Sequence, residues 1–209
     1  MNKVYIIGVG LGTEDYLLPV AKREIENSDC LIGGKRALRL FRDLHKEEIP
    51  LEGHFEKVIP YIEENRGKKK IALLVSGDPG LYSFLGRLSC VLGREEYVVI
   101  PGISAVQVAF AKMGEGWEDS KILSLHGRKI GNLATKVKAS SKIFLFTDAN
   151  FPPDKIAAHL LEKGIGNRKA IVLEHLTYPN ERIVETDLEH LREMREFGLC
   201  VVIIKKEMK

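Results

Sequence analysis

Short apolar runs alternate with longer amphipathic stretches along the whole chain. Residues 4–10 (VYIIGVG) are apolar at nearly every position and read as a strand buried on both faces. Residues 17–26 have helical spacing, and 29–34 (DCLIGG) form a short strand ending in two glycines. Helices are predicted over 35–44 and 54–65. After the charged turn 66–70 (RGKKK), residues 71–80 give a strand and a sharp turn. A helix over 81–92, a strand over 97–102 and a helix over 103–113, closed by Gly114, complete this half. Strands alternating with helices predict a mostly parallel sheet covered on both faces.

The pattern changes at 114–120 (GEGWEDS), which is polar, acidic and glycine-bearing. A domain boundary there gives an N-terminal α/β domain over 1–114 and a C-terminal mixed α/β domain over 120–209. The second half predicts strands at 121–125, 142–146, 169–176, 181–186 and 199–205, with helices near 130–139, 152–163 and 187–195. TYPNER (177–182) is a turn signal between two strands, so 169–186 reads as a hairpin and the second sheet as mixed.

Composition narrows the class. The 209 residues are 44% hydrophobic and 29% charged, which is globular. Thirty-two Lys and Arg against 29 Asp and Glu give a net charge of +3, too small to point to nucleic acid. No apolar run is long enough to span a membrane, and the N-terminal run reads as a strand and not as a signal peptide. Cys30, Cys90 and Cys200 are widely spaced with no metal-ligand pattern, so they read as reduced, buried thiols of a cytoplasmic protein, with no metal site.

Three loops carry the candidate chemistry, each following a predicted strand. Gly8-Val9-Gly10-Leu11-Gly12-Thr13 has the look of a dinucleotide fingerprint, but Thr13 stands where the third glycine belongs and Asp29 opens the second strand instead of closing it. Gly34-Lys35-Arg36 lacks the Ser/Thr of a phosphate loop. Ser76-Gly77-Asp78-Pro79-Gly80 places a carboxylate at a strand end, either to hold a ligand or to cap a helix starting near Leu81. Pro101-Gly102-Ile103-Ser104-Ala105 has the same choice at Ser104. Strand carboxyl ends are where open α/β sheets bind ligands. Three such loops in one half make one crevice if their strands are neighbours.

GVGLG, SGDPGLYS and IPGISA, in this order and spacing, resemble the tetrapyrrole (corrin/porphyrin) methylases. The resemblance covers essentially the whole chain. It implies the two-domain fold of class III S-adenosylmethionine-dependent methyltransferases, with the donor in a cleft between the domains. KILSLHGR (121–128) and LEHLTYPNERI (173–183) narrow it to the C5-methylating branch, which acts on cobalt-precorrin-7 in cobalamin biosynthesis. By the resemblance, Gly10, Leu11, Gly12, Gly77, Asp78, Leu81, Ser104 and Ala105 contact S-adenosylmethionine, whose product is S-adenosylhomocysteine. Thr147, Asp148, Glu174 and His175 hold the adenine side. The anionic macrocycle calls for cations, and Arg128, Lys129, Lys35 and Arg36 are the candidates. A general base is not evident; His126 and Glu174 are the candidates. A homodimer, and a separate protein for decarboxylation and C15 methylation, are also implied. The alternatives are methylation at another tetrapyrrole position, a NAD-dependent oxidoreductase using the glycine loop, and a binding module without turnover. The chain departs from the family's usual Leu-Gly-Gly at Leu176-Thr177-Tyr178, and from its usual Gly-x-Asn-Thr-Pro at 148–152.

Overall fold

The computed structural model describes residues 2–51, 58–127 and 130–206. The chain divides into two compact units, Met1–Ala105 and Val106–Lys209.

In the first unit the elements run β1 (Val4–Gly8), α1 (Pro19–Glu26), β2 (Cys30–Gly33), α2 (Lys35–Arg39), β3 (Glu47–Pro50), α3 (Val58–Asn65), β4 (Ile71–Val75), α4 (Leu85–Leu88) and β5 (Tyr97–Ile100). The five strands form one sheet in the order β3-β2-β4-β1-β5. Every pairing is parallel. All residues of β2 and β4 are buried, which is why they read as unbroken apolar runs. Successive side chains alternate between faces. Ile7, Leu31 and Leu74 pack under Ala21 and Ile25 of α1 and Leu38 of α2. Their neighbours Ile6, Ile32 and Leu73 pack under Val58 and Ile62 of α3 and Leu88 of α4. So α1, which follows β1, and α4, which follows β4, cover opposite faces. β1 and β4 are adjacent, and a crevice opens where two neighbouring parallel strands send their chains to opposite sides.

The second unit contains α5 (Ala105–Met113), apart from its first residue, then β6 (Ser120–Ser124), α6 (Leu133–Lys138), β7 (Lys142–Phe146), α7 (Pro153–Glu162), β8 (Lys169–Glu174), β9 (Arg182–Asp187), α8 (Leu188–Leu191) and β10 (Cys200–Lys205). The sheet order is β6-β7-β10-β8-β9. β6 and β7 are parallel and the other pairings antiparallel, so the sheet is mixed and 169–186 does form a hairpin. Its core joins Ile143, Leu145, Val172 and Val202 to Val137 of α6, Ile156 and Leu160 of α7, and Leu188 and Leu191 of α8.

Several elements differ from the sequence reading. The helix closed by Gly114 belongs with the second unit, not the first. Its Phe110 ring packs 6.1 Å from Phe144, and Lys142 Nζ lies 5.4 Å over that ring. Glu115 just beyond pairs with Lys205. The strand β3 was not legible, because Ile49 is the one aliphatic side chain among Glu47, Glu48 and Pro50. It lies at the sheet edge, where charges and proline discourage further pairing. The helix predicted over 81–92 contracts to α4, since Pro79, Gly80 and a left-handed Tyr82 (φ 52°) keep the preceding chain in turns. The helix over 187–195 contracts to α8, capped by Asp187 accepting from the His190 amide at 3.0 Å. The helix over 35–44 breaks after Arg39. Of the helix predicted over 54–65, residues 54–57 lie outside the described residues. Cys30 and Cys200 are buried free thiols, but Cys90, two residues beyond α4, is exposed. Among the described residues no helix is long and apolar enough to cross a membrane.

Candidate functional site

The three glycine loops of the first unit meet at the carboxyl edge of its sheet. The β1–β4 pairing runs on past the strand ends: the Val9 amide donates to Val75 O at 2.9 Å and the Gly77 amide to Gly10 O at 2.7 Å. Gly8, Gly77 and Gly102 are packed backbone on backbone. A Cβ at Gly8 would lie 2.5 Å from Gly77 O and 2.6 Å from Gly102 N. A Cβ at Gly102 would lie 2.2 Å from Gly77 O. Gly10 and Gly77 both have φ of 67°, a conformation that favours glycine. Ser104 is buried, with its Cα 3.6 Å from where a Gly77 Cβ would stand. Leu11, Gly12, Leu81 and Ala105 are partly exposed in or beside these loops.

Asp78 caps no helix, because α4 starts seven residues later. Its Oδ1 accepts from the Gly80 amide at 2.8 Å, and its Oδ2 accepts from the Gly102 amide at 3.2 Å. It therefore ties the loop after β4 to the loop after β5. A fourth segment reaches the same edge from the end of β2: Arg36 Nη2 donates to Ser76 Oγ at 3.2 Å. Lys35 beside it is exposed.

The predicted residues of the second unit gather at one edge of the second sheet. Register puts the end of β6, the end of β7, the start of β10 and the end of β8 side by side. His126 is exposed just beyond β6. Thr147 Oγ1 donates to Cys200 O at 2.7 Å. Glu174 is 3% exposed, and both its oxygens are committed: Oε2 to the Arg182 guanidinium at 2.6 and 2.5 Å, Oε1 to the Gly198 amide at 2.7 Å. A carboxylate so held serves the fold, which leaves His126 as the more accessible of the two base candidates. His175 is left-handed (φ 47°), its amide donating to Leu199 O at 2.8 Å, and its imidazole lies against Gly198. Thr177, in place of the family's usual glycine, also has a positive φ of 75°. Arg128 and Lys129 lie outside the described residues.

Asp148 closes its own turn. Its carboxylate accepts from the amides of Gly127 at 3.0 Å, Asn150 at 2.9 Å and Phe151 at 3.0 Å. Burial pushes this carboxyl up, but the three backbone donors and the nearby His126 outweigh it and hold it below the usual aspartate range. A depressed carboxyl stabilises the fold above its unfolded pKa and loses that contribution as pH falls through the folded value. Asp148→Asn is expected to lower Tm at neutral pH, with the gap to wild type closing as pH falls below ~3.9, the ordinary aspartate value. Thermal melts across pH 2–7 check this.

The sequence reading did not find the contact among Gly8, Gly77 and Gly102, the Arg36–Ser76 link, or Arg182 and Gly198 as partners of Glu174. The glycines themselves were visible in the motifs. The link to Arg182 is a register effect, since Glu174 faces Arg182 directly across the hairpin.

The family model of the tetrapyrrole (corrin/porphyrin) methylases matches residues 3–192. A probable cobalt-precorrin-7 C(5)-methyltransferase from Methanocaldococcus jannaschii is 37% identical over 199 residues, covering 91% of this chain and 90% of its own. A cobalt-precorrin-7 C(5)-methyltransferase from Salmonella typhimurium is 34% identical over 178 residues, covering 85% and 87%. In fold, the chain is similar to uroporphyrin-III C-methyl transferase from Thermus thermophilus, solved with S-adenosylhomocysteine. The TM-score is 0.78 with 18% identity, covering 98% of this chain and 92% of that one. With its parallel first sheet, its mixed second sheet and a family match over almost its whole length, this chain belongs to the tetrapyrrole (corrin/porphyrin) methylases.

Proposed function

We propose that this protein is a S-adenosylmethionine-dependent C-methyltransferase of cobalamin biosynthesis that methylates C5 of cobalt-precorrin-7. The observation that carries this reading is the near full-length match, on both sides, to a relative named for that reaction. Family membership sets aside the oxidoreductase alternative. We also assign decarboxylation and C15 methylation to a separate protein, because the relative matched over 90% of its own length is named for the C(5) reaction alone. A homodimer in the cytoplasm completes the proposal.

The first-unit rim fits the donor. Where Gly8, Gly77 and Gly102 touch, the rim is built of main chain, and a Cβ at Gly8 or Gly102 would collide there. Ligand atoms can then approach backbone N–H and C=O groups directly. Gly10, Leu11, Gly12, Gly77, Asp78, Leu81, Ser104 and Ala105 would hold the donor. Main chain at Thr147, Asp148, Glu174 and His175 is assigned its adenine side. When bound, the donor supplies a methyl group on a positively charged sulfur, which is an electrophile.

The macrocycle carbon is electron-rich, so this chain need not provide a nucleophile. Its tasks are to align the reactants to roughly 3–3.5 Å and to exclude water. The stitched loops meet the first task by fixing the rim before ligands arrive. His126, exposed and beside Asp148, is assigned to accept the proton lost from the methylated carbon. Arg128, Lys129 and Lys35 are assigned to macrocycle carboxylates.

Calorimetry on the purified protein should show S-adenosylhomocysteine binding at micromolar Kd or tighter. Incubation of cobalt-precorrin-7 with isotopically labelled donor should place one labelled methyl group on C5 by mass spectrometry and NMR. Label on a different carbon would reassign the position. Absence of binding by the intact protein would remove the reading.

A further inference from the structure

Arg36 is the second residue of α2, two positions after Gly34, and it is exposed. Its bond to Ser76 Oγ carries the guanidinium across the carboxyl edge from β2 to its neighbour β4. Among the described residues it pairs with no carboxylate. The acid two residues beyond Ser76 is Asp78, whose oxygens go to the Gly80 and Gly102 amides. Ser76 is a neutral partner, so it directs the guanidinium without cancelling its charge. A guanidinium has five donors in a rigid fork, and this bond uses one.

An exposed arginine normally wanders through many rotamers and gains little from any one of them. Here one hydrogen bond holds it at the edge where the three glycine loops meet, and among the described residues no carboxylate pairs with its charge. A planar, oriented cation in that state matches the two oxygens of a carboxylate, which it can bind through paired N–H groups. Lysine, a point charge on a flexible stem, gives no such fork.

We propose that Arg36, oriented by Ser76, is a carboxylate-binding residue of this site. The proposal rests on the methyltransferase reading above, and it adds which residue of the first unit meets the acid groups of the ligands. Two sources carry that chemistry: the side-chain carboxylates of the macrocycle, and the amino-acid carboxylate of the donor. Arg36 acts by contact, and Ser76 is a positioning residue.

The test compares wild type with Arg36→Gln, Arg36→Lys and Ser76→Ala. S-adenosylhomocysteine and 5′-methylthioadenosine, which lacks the carboxylate, are titrated by calorimetry. KM and kcat are measured with cobalt-precorrin-7, and Tm is recorded throughout. For a macrocycle carboxylate, Arg36→Gln raises KM by about tenfold or more with S-adenosylhomocysteine binding unchanged. Arg36→Lys then recovers part of the loss, and Ser76→Ala raises KM to a smaller degree. For the donor carboxylate, Arg36→Gln weakens S-adenosylhomocysteine by about tenfold and leaves 5′-methylthioadenosine unaffected. Unchanged KM and unchanged binding in Arg36→Gln overturn the assignment. A fall in Tm with equal losses for all three ligands also overturns it, because Arg36 is then structural. A wild-type protein that neither binds S-adenosylhomocysteine nor turns over strikes at the function itself; an active wild type with an equally active Arg36→Gln strikes only at Arg36.

Discussion

Gly102→Ala is expected to destabilise the first unit by about 3 kcal/mol or more and to abolish S-adenosylhomocysteine binding. The new Cβ would stand 2.2 Å from Gly77 O and 2.7 Å from Gly8 C and Cα. All three are main-chain atoms at the ends of β1 and β4, so no side chain can swing away. Relief requires β5 to separate from β1, or the Gly77–Asp78 peptide to turn its oxygen away from Gly102. Gly8→Ala should act similarly, through Gly77 O at 2.5 Å and Gly102 N at 2.6 Å. Gly34→Ala is the control, since its Cβ meets nothing within 4 Å, and its Tm should stay near wild type. Thermal melts and calorimetry on the three variants decide the matter. A Gly102→Ala protein that melts with wild type would show that the loops are not packed as described.

Asp78→Ala is expected to weaken S-adenosylhomocysteine by about 10- to 100-fold, equivalent to ~1.4–2.8 kcal/mol. The carboxylate accepts from two amides on two loops, and its loss leaves the Gly80 and Gly102 N–H groups without that acceptor. Hydrogen bonds to a charged group contribute about 1.5–3 kcal/mol, so Tm should fall as well. Asp78→Asn keeps one carbonyl oxygen and should recover one of the two bonds. Its Kd should therefore lie between wild type and alanine. Equal Kd values for Asp78→Ala and wild type would mean that the rim holds its shape without this stitch.

The two variants address different parts of one arrangement. The glycines let three backbones touch, and Asp78 fastens two of them. Neither feature is a reactive group, which accords with chemistry in which the protein aligns reactants and excludes water.

Much of the fold was legible in the chain. The unbroken apolar runs of β2 and β4 announce strands buried on both faces, and TYPNER between β8 and β9 announces the hairpin. The errors have physical causes. β3 has too few apolar residues to show, because an edge strand needs few. The helix over 81–92 was overextended, because amphipathic spacing does not reveal that Tyr82 is left-handed. Phe110 could not be assigned to its unit by periodicity, because its partner Phe144 lies 34 positions on in the sequence.

The sequence by itself determined the alternation of strands and helices, the place of each glycine loop after a strand, and the family those loops resemble. Local pattern is sufficient for these, since periodicity and turn chemistry act over a few residues. Only the tertiary structure decided that the loops meet, because β1 lies between β4 and β5, strands distant from it in the chain. It also decided that Glu174 is spent on Arg182 and Gly198, and that Arg36 is fixed by a serine 40 positions away. Those outcomes depend on strand order and register, which the packing of the whole sheet sets.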